Sequence, residues 1–388
     1  MHYQTIVIGI GSMGAATTYY LAQQGIKTLG LEQFSIVHEN GSHAGQSRII
    51  RKAYAEHPDY VPLLKRAYDN WAKFEQTTEE SFVNAVGLAY FGYPDAPFIQ
   101  GVKTSAVEHQ IPISKYDSTT GKAQFPWFNL PDDYEVVWEP GAGYVTPEKT
   151  IATFAKQAQK AGAVLQENEA VKQWKIKGNR VEVITNKASY TAEKLIITAG
   201  AYASKLLPNF SRPLQVTRQL LAWVRPAQPI DLSQLPCWVF EVPGVEGIYY
   251  GFPEVLPPWL SEKSTKVTGF KIAHHTEGQT LTPNQLPPLA DQAYIAQETA
   301  KLQGFIQTYF PALAGEFVEV KQCLYTYSED DHFIIDYLPN TDRRVILATG
   351  FSGHGFKFVP AIGEVLANLA LGNTETDELI DFLRLKRF

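Results

Sequence analysis

The chain has 388 residues, of which 45% are hydrophobic and 19% are charged, and its formal net charge is −6 with a pI near 5.9. This length predicts two or three domains, and the acidic balance argues against a nucleic-acid or anionic-membrane partner. Two cysteines are too few for a disulfide framework, and neither a basic leader nor a membrane-spanning apolar run is visible, so the sequence predicts a cytoplasmic protein while leaving open one Cys237–Cys323 bridge.

Elements of α/β type are predicted at both ends of the chain, with a β-rich part between them. In chain order the patterns predict a strand over Tyr3–Ile8, a helix over Ala15–Gln24, a strand over Thr28–Leu31, helices over Pro58–Gln76 and Thr150–Ala161, a hairpin turning at Gly178-Asn179, a strand over Leu195–Thr198, β-type segments over Ile248–Phe252 and Lys266–His274, a strand over Val345–Thr349 and a helix over Pro360–Leu371. This order predicts a discontinuous cofactor domain formed by 1–85, 145–212 and 319–388, with a substrate domain formed by 86–144 and 213–318 inserted into it.

A glycine-rich loop follows the first predicted strand. The stretch "VIGIGSMGAA" places Gly9, Gly11 and Gly14 in a G-x-G-x-x-G pattern at the start of a helix. In this setting the first glycine permits a tight turn, the second lets the backbone approach a pyrophosphate and the third allows close helix–strand packing. Glu32, at the end of the second strand, can accept hydrogen bonds from ribose hydroxyls. The pattern predicts a dinucleotide, without separating FAD from NAD, and the alternative is a plain tight turn.

Two arginines follow in the stretch "ENGSHAGQSRIIRKAY". On a strand Arg48 and Arg51 would point to opposite faces, so one could face the cofactor while the other binds a substrate carboxylate. The alternative is a pair of solvated surface arginines.

A second glycine-rich loop, "ATGFSGHGFKF", lies between a predicted strand and a predicted helix. Loops at the carboxyl ends of strands commonly line ligand sites, and this one offers His354 and Lys357 as polar side chains. A plain strand–helix connection is the alternative.

Strand alternation in "TGFKIAHHTEG" places Lys271 and His275 on one face and His274 on the other. A lone lysine or histidine on a strand is more often solvated or structurally satisfied than catalytic. Adjacent histidines diverge on a strand, and no Cys/His/acid cluster has metal-ligand spacing, so no metal site is predicted.

Cys323 lies in "KQCLYTYSEDDHFIID", where alternation puts it on one face with Tyr325 and Tyr327. A free cysteine is usually a small buried hydrophobe. A catalytic thiol would need a nearby base, and none is identifiable in sequence. The third alternative is a thiol bonded to the 8α-methyl group of a flavin.

Six stretches together resemble one family: "GSMGAA", "GSHAGQSRIIRKAY", "IYYGFP", "GFKIAHHT", "CLYTYSEDDHFIID" and "GFSGHGFKF". The family is that of the monomeric sarcosine oxidases and N-methyltryptophan oxidases, flavoprotein amine oxidases of the wider D-amino-acid-oxidase-like group. The resemblance follows the chain in order over almost its whole length. It implies a Rossmann-like FAD-binding domain of the glutathione-reductase-like type with an inserted antiparallel-sheet substrate domain, a monomeric state, and FAD joined through a thioether to Cys323.

The resemblance also implies roles for individual positions. Arg51 and Lys357 would bind the substrate carboxylate, Tyr250 and His275 would line the amine site, Tyr325 would lie beside the flavin, and Lys271 would help oxygen react. The residues implied to bind the cofactor are Gly9, Gly11, Ser12, Met13, Gly14, Glu32, Gln33, Ser42, His43, Arg48, Val171, Gly200, Cys323, Gly353, His354, Gly355 and Lys357.

The chain departs from the family's usual text at Ala44, Gln46, Ser47 and Lys52, and these positions bear on the fine contacts to the flavin. Both arginines are kept. The resulting expectation is an FAD-dependent oxidase that converts an N-methyl amino acid and oxygen into the primary amino acid, formaldehyde and hydrogen peroxide. One alternative is a dehydrogenase that passes electrons to a quinone or carrier. The other is a non-catalytic dinucleotide-binding redox sensor.

Overall fold

The structure, a computed structural model, describes residues 1–207, 210, 212–255 and 269–388. Its strands are β1 (His2–Ile8), β2 (Thr28–Leu31), β3 (Arg48–Ile50), β4 (Val83–Asn84), β5 (Leu88–Gly92), β6 (Ser114–Tyr116), β7 (Glu135–Glu139), β8 (Gly143–Val145), β9 (Val164–Gln166), β10 (Val171–Lys177), β11 (Arg180–Thr185), β12 (Ser189–Ile197), β13 (Gln215–Pro226), β14 (Cys237–Phe240), β15 (Ile248–Glu254), β16 (Phe270–His275), β17 (Gln279–Leu281), β18 (Gly315–Tyr327), β19 (Ile334–Tyr337) and β20 (Val345–Thr349). Its α-helices are α1 (Ser12–Gln23), α2 (Tyr60–Thr78), α3 (Pro97–Glu108), α4 (Ser118–Gln124), α5 (Pro147–Lys160), α6 (Ala203–Leu206), α7 (Gln292–Tyr309) and α8 (Val359–Leu371).

The first sheet contains eight strands and has a parallel centre. β1 lies between β2 and β12 and pairs with both in parallel. The long β12 pairs antiparallel with β11 through its first half and parallel with β20 through its second half. β20 is buried throughout and β1 is buried from Thr5 to Ile8, where α8 and α1 respectively pack beside them, which explains their apolar sequences.

The second sheet contains nine strands and is mostly antiparallel. β13 and β18 form its longest pairing, and β14 joins β5 in its one parallel pairing among the described residues. Helix α7 packs against this sheet through a stack of aromatic rings, in which Tyr249 lies 4.0 Å from Phe305 and 4.2 Å from His274. This arrangement confirms the predicted combination of a Rossmann-like part and an antiparallel sheet.

The predicted elements are present, and several boundaries differ from the predicted ones, as in α2 (Tyr60–Thr78), α5 (Pro147–Lys160) and β12 (Ser189–Ile197). Helix α1 begins at Ser12 rather than Ala15, because the carbonyl of Gly11 already accepts the first helical hydrogen bond from the amide of Ala15. The strand through Arg48 ends at Ile50, one residue before Arg51, and the amides of Lys52 and Ala53 beyond it donate to the carboxylate of Glu139. The segment predicted over Lys266–His274 is a strand over Phe270–His275, and 266–268 lie outside the described residues.

The domain division stays a prediction, and one segment that it places in the cofactor domain pairs with the second sheet. All strands of the first sheet lie within 1–85, 145–212 and 319–388. β18 begins before residue 319, and its full length pairs with β13 of the second sheet. The segment that carries Cys323 therefore leaves the second sheet and leads directly into β19 of the first.

Helices α1 and α8 pack so closely that one glycine is required between them. A Cβ atom added at Gly363 would lie 2.6 Å from the Cβ of Ala16 and 2.8 Å from its carbonyl carbon. Since the clash involves backbone, a larger residue would separate the helix that follows the glycine loop from its neighbour.

We expect Gly363→Ala to lower the free energy of unfolding by about 1–3 kcal/mol through overpacking. Gly304→Ala in α7 is the matched control, because a Cβ there would have no atom within 4 Å, and it should stabilise by up to about 1 kcal/mol through helix propensity. Urea denaturation of both variants measures the difference, and equal stability of the two would contradict the close approach.

Candidate active site

Two adjoining cavities lie where the carboxyl ends of β1, β2, β12 and β20 meet the second sheet. The centre of a water molecule can occupy about 190 Å³ in the larger cavity and about 70 Å³ in the smaller. Arg48, Tyr325, Gly353 and Phe356 line both cavities, so a ligand in one would lie against a ligand in the other. The crevice at the carboxyl ends of parallel strands is the usual ligand site of such sheets.

The glycine loop has the conformation that dinucleotide binding requires. Gly9 has φ +89°, and a Cβ at Gly14 would lie 1.8 Å from the carbonyl oxygen of Gly9. Gly11 faces open space, because a Cβ there would meet no atom within 4 Å. No side chain caps the start of α1, so its first backbone amides point at the cavity unpaired by a cap and can bind phosphate oxygens.

Glu32 lies in the wall of the larger cavity and is 3% exposed. Its two carboxylate oxygens accept hydrogen bonds from the amides of Ile10, at 2.9 Å, and Phe34, at 3.0 Å. Burial raises the pKa of Glu32, although these amide bonds oppose the shift. Each oxygen keeps a further lone pair, which a sugar hydroxyl can use.

Unpartnered polar atoms in the same wall are consistent with a bound cofactor. Nε2 of His43 and Oγ1 of Thr326 are buried without a hydrogen-bond partner, and both residues line the larger cavity. Buried polar atoms normally have partners, so these two atoms indicate where a ligand would complete the site. The open glycine loop, the acid and the unpartnered atoms together fit a dinucleotide such as FAD.

Most residues predicted to bind the cofactor line the larger cavity. They are Gly9, Gly11, Ser12, Met13, Glu32, Gln33, Ser42, His43, Arg48, Val171, Gly200, Gly353 and Gly355. Gly14 lies behind the loop it packs against, whereas His354 and Lys357 line the smaller cavity instead.

Cys323 is buried next to the larger cavity, and Leu324, Tyr325 and Thr326 after it line that cavity. Both cysteines are free, so the Cys237–Cys323 bridge left open by the sequence is absent. Burial raises the pKa of the Cys323 thiol, and the charges of Arg48 and Lys271 oppose this shift.

Arg51 brings a buried positive charge to the smaller cavity. Its guanidinium donates to both carboxylate oxygens of Glu56, at 2.6 and 2.7 Å, and to the carbonyl of Ala53 at 2.9 Å. The ring of Tyr54 lies 4.4 Å from the guanidinium carbon. Burial alone would raise the pKa of Glu56, but Arg51 and other nearby cations lower it to about 2.

Lys357 adds a second cation to the same cavity. Its ammonium donates to the carbonyl of His354 at 2.6 Å and lies 5.2 Å from the ring of Tyr54. Burial and the charge of Arg51 lower the pKa of Lys357 to about 7, while Glu56 opposes the shift. Lys357 therefore brings to the cavity a positive charge that titrates near neutral pH, beside the guanidinium of Arg48 in the same wall.

Two histidines of the smaller cavity are held neutral. Burial lowers the pKa of His275 to about 4, and Nδ1 of His275 lies 3.3 Å from the hydroxyl of Tyr325. Burial lowers the pKa of His354 to about 3. Tyr250 completes this part of the wall, whereas His274 on the opposite strand face stacks on Tyr249 away from the cavity.

Lys271 lines neither cavity but lies directly behind Arg48 and its loop. Its amine donates to the carbonyls of Gly45 and Ser47, both at 2.7 Å, and lies 3.3 Å from the hydroxyl of Ser47. These three acceptors match the three N–H groups of an ammonium. Burial and the charge of Arg48 act against the charged form and lower the pKa of Lys271. Gln46, one of the departures from the family's text, supports this loop by accepting from Trp223 at 3.1 Å.

Sequence reasoning missed several residues of the smaller cavity, above all Glu56 and the apolar side chains Phe98, Val239, Ile248 and Phe356. An acid five residues after Arg51 was a visible signal for Glu56. The apolar residues carry no such signal, because separate segments of the chain contribute them. The pairing of 88–92 with 237–240, for example, places Val239.

The described residues contain neither a metal-binding cluster nor a helix that could cross a membrane. Among the residues for which coordinates are described, no three His, Cys, Asp or Glu side chains form a cluster that could hold a metal ion. Across 1–207, 210, 212–255 and 269–388, no helix has the length and apolar character needed to cross a membrane.

Comparisons with known proteins agree with this geometry. The DAO family, described as FAD dependent oxidoreductase, matches residues 4–369. Monomeric sarcosine oxidase of Bacillus sp. (strain B-0618) is 36% identical over 382 residues, covering 97% of this chain and 94% of that protein. N-methyl-L-tryptophan oxidase of Salmonella dublin is 33% identical over 390 residues, covering all of both chains. A solved variant of NikD, an unusual amino acid oxidase, superposes with a TM-score of 0.85 at 25% identity, covering 99% of this chain and 97% of NikD. The glycine loop, the cavity and these relationships over nearly the whole length place this chain in the DAO family of FAD dependent oxidoreductases.

Proposed function

We propose that this protein is an FAD-dependent oxidase of N-methyl amino acids that uses oxygen and yields the primary amino acid, formaldehyde and hydrogen peroxide. The observation that carries the proposal is the smaller cavity, where Arg51 and Lys357 supply two buried cations beside the wall shared with the larger cavity. Such a cavity suits a small molecule with a carboxylate at one end and an oxidisable group at the other. FAD, when bound, supplies a two-electron acceptor for the substrate's C–H bond.

Each residue of the cavity has a distinct part in this proposal. Arg51 and Lys357 bind and orient the carboxylate through charge-assisted hydrogen bonds. Tyr250 and His275 line the amine end. Because His275 is neutral, it does not attract the carboxylate to that end. The cations at the carboxylate end disfavour an ammonium, so the cavity favours the neutral amine, which retains the lone pair that assists C–H cleavage. Lys271, which donates to the carbonyls of Gly45 and Ser47 behind Arg48, assists the reaction of oxygen in this proposal.

We further propose that Cys323 holds FAD covalently through a thioether to the 8α-methyl carbon. The position of Cys323 before three residues that line the larger cavity supports this assignment. Forming the bond removes the thiol hydrogen and one methyl hydrogen, and the two electrons pass through the flavin ring to oxygen. A monomeric state and a cytoplasmic location stay proposals, supported by the family resemblance and by composition.

The primary experiment is a substrate panel with three readouts. Sarcosine, N-methyl-L-tryptophan, N-methyl-L-alanine and the cyclic imino acids proline and pipecolate are supplied to the holoenzyme while oxygen, peroxide and formaldehyde are measured. We expect one peroxide per oxygen consumed, and one formaldehyde per peroxide for N-methyl substrates. Turnover with an artificial acceptor but no peroxide would favour the dehydrogenase, and no turnover at all would favour the redox sensor.

The covalent link is tested by acid precipitation. Wild-type protein should stay yellow after precipitation, because a thioether survives denaturation whereas noncovalent contacts exist only in the fold. Cys323→Ser should lose the colour, and Cys237→Ser, which changes the other buried thiol, should keep it. A colourless wild-type precipitate, from protein prepared with ample flavin, would return Cys323 to a packing role.

The state of Lys357 predicts a pH dependence of carboxylate binding. Methoxyacetate, an isostere of sarcosine without an amine, isolates this group. Because the pKa of free Lys357 is about 7, the inhibition constant should be flat below pH 6 and should rise about tenfold by pH 8 as the ammonium is lost. Lys357→Met should bind methoxyacetate weakly with no such dependence, and a wild-type profile identical to that of the variant would contradict the assignment.

Arg51 and Glu56 predict opposite effects on the same inhibitor. Arg51→Ala should cost about 2–5 kcal/mol of binding, because one charge-assisted contact in a shielded site is lost. Glu56→Gln should tighten binding, because Glu56 now competes for the guanidinium. The flavin-to-protein absorbance ratio controls for cofactor loss. If neither substitution changes the inhibition constant, the carboxylate binds elsewhere.

A further inference from the structure

The ring of His354 is fixed by two hydrogen bonds from opposite sides. The hydroxyl of Tyr54 bonds to Nδ1, and Nε2 lies 3.2 Å from the carbonyl oxygen of Asp331. A carbonyl can only accept, so Nε2 carries the proton. Since the pKa of His354 is lowered to about 3 by burial, the ring is neutral and Nδ1 accepts from Tyr54. One tautomer and one ring orientation satisfy both partners.

The carbonyl of Asp331 belongs to a strained turn that joins the second sheet to the first. Asp331 has φ +59°, in the left-handed region that non-glycine residues rarely adopt. Within the turn the hydroxyl of Ser328 donates to the carbonyl of His332 at 2.6 Å, and the amide of His332 donates to the carboxylate of Asp330 at 3.2 Å. A conformation of this kind persists only where surrounding contacts over-determine it.

Arg387, far away in the sequence, supplies such contacts. Its guanidinium donates to the two carboxylate oxygens of Asp330 at 2.7 and 3.0 Å, and to the carbonyl of His332 at 3.1 Å. The planar fork thus holds the residues on both sides of Asp331 at once. Arg387 itself touches neither cavity.

The other side of His354 leads to the substrate cations. The ring of Tyr54, whose hydroxyl bonds to His354, lies beneath the guanidinium of Arg51 at 4.4 Å and the ammonium of Lys357 at 5.2 Å. The carbonyl of His354 accepts from Lys357 directly. A shift of His354 would therefore move both the aromatic surface and one acceptor that position these cations.

We propose that Arg387 is a positioning residue for the smaller cavity, acting through the turn at 328–332 to fix His354 and, through it, Tyr54 and Lys357. The consequence for catalysis rests on the proposed function, in which Arg51 and Lys357 bind the substrate carboxylate. The consequence for His354 is independent of any substrate.

Arg384 provides a matched control in the same segment. Its side chain is 12% exposed against 14% for Arg387, and it pairs with Asp336 at 3.1 Å and Asp377 at 2.8 Å, away from the turn. Arg387→Ala and Arg384→Ala each remove one half-enclosed arginine and its ion pairs, so their general effects on stability should be similar.

The test combines a structural and a kinetic readout on the holoenzyme. Histidine labelled with ¹⁵N distinguishes protonated from bare ring nitrogens, and His354→Asn assigns the signal of His354. Arg387→Ala should replace the single Nε2–H pattern of His354 with exchange between tautomers. It should also raise KM about tenfold and change kcat by less than about twofold, because small misplacements of binding groups are costly. Arg384→Ala should change neither the pattern nor KM. If Arg387→Ala folds poorly, Arg387→Lys takes its place, and it should keep part of the wild-type pattern.

An unchanged His354 pattern in a folded Arg387→Ala or Arg387→Lys variant would overturn the proposal. So would a changed pattern with an unchanged KM. If the wild-type enzyme oxidises no N-methyl amino acid, the proposed function fails, while the ¹⁵N pattern still decides whether Arg387 fixes His354.

Discussion

The cost of burying two cations, Arg51 and Lys357, in the smaller cavity beside Glu56, with Arg48 also in the wall, is the constraint on which the site depends. Removing charges from water is expensive unless they are paired and hydrogen-bonded. Arg51 meets this requirement with Glu56, so it stays charged. Among the described residues, Lys357 donates to a carbonyl and lies over aromatic rings, and burial together with the charge of Arg51 lowers its pKa to about 7. In the proposed function a substrate carboxylate would supply the missing partner, and the charge imbalance of the cavity would be the basis for its selectivity.

The fold creates this imbalance by bringing distant segments to one place. Arg51 follows the end of β3, the amides of the two residues after it donate to Glu139, and its side chain pairs with Glu56. Lys357 comes from the loop after β20, at the carboxyl end of the first sheet. β18 then joins the two sheets, with Tyr325 in the wall that both cavities share. The same strand carries Cys323 to the edge of the larger cavity.

How far the sequence predicts this structure depends on how local each signal is. The glycine loop could be predicted, because the requirements at Gly9 and Gly14 arise within one strand–turn–helix unit. The side-chain alternation that separates His275 from His274 follows from strand geometry alone. The bonds from the amides of Lys52 and Ala53 to Glu139, and those from Arg387 to the turn at 328–332, join segments with no shared local pattern. The roles given to individual cofactor residues stay predictions from family resemblance.

The most direct measurement compares two ligands that differ only in charge at the carboxylate end. Methoxyacetate and methoxyacetamide have nearly the same size, and calorimetry on the holoenzyme at pH 6.5, where Lys357 is mostly protonated, gives both dissociation constants. The account predicts that the carboxylate binds at least tens-fold more tightly than the amide, since only the carboxylate can pair with the cavity's cations. Equal affinities would contradict the central claim that this cavity is built around Arg51 and Lys357 to bind a carboxylate.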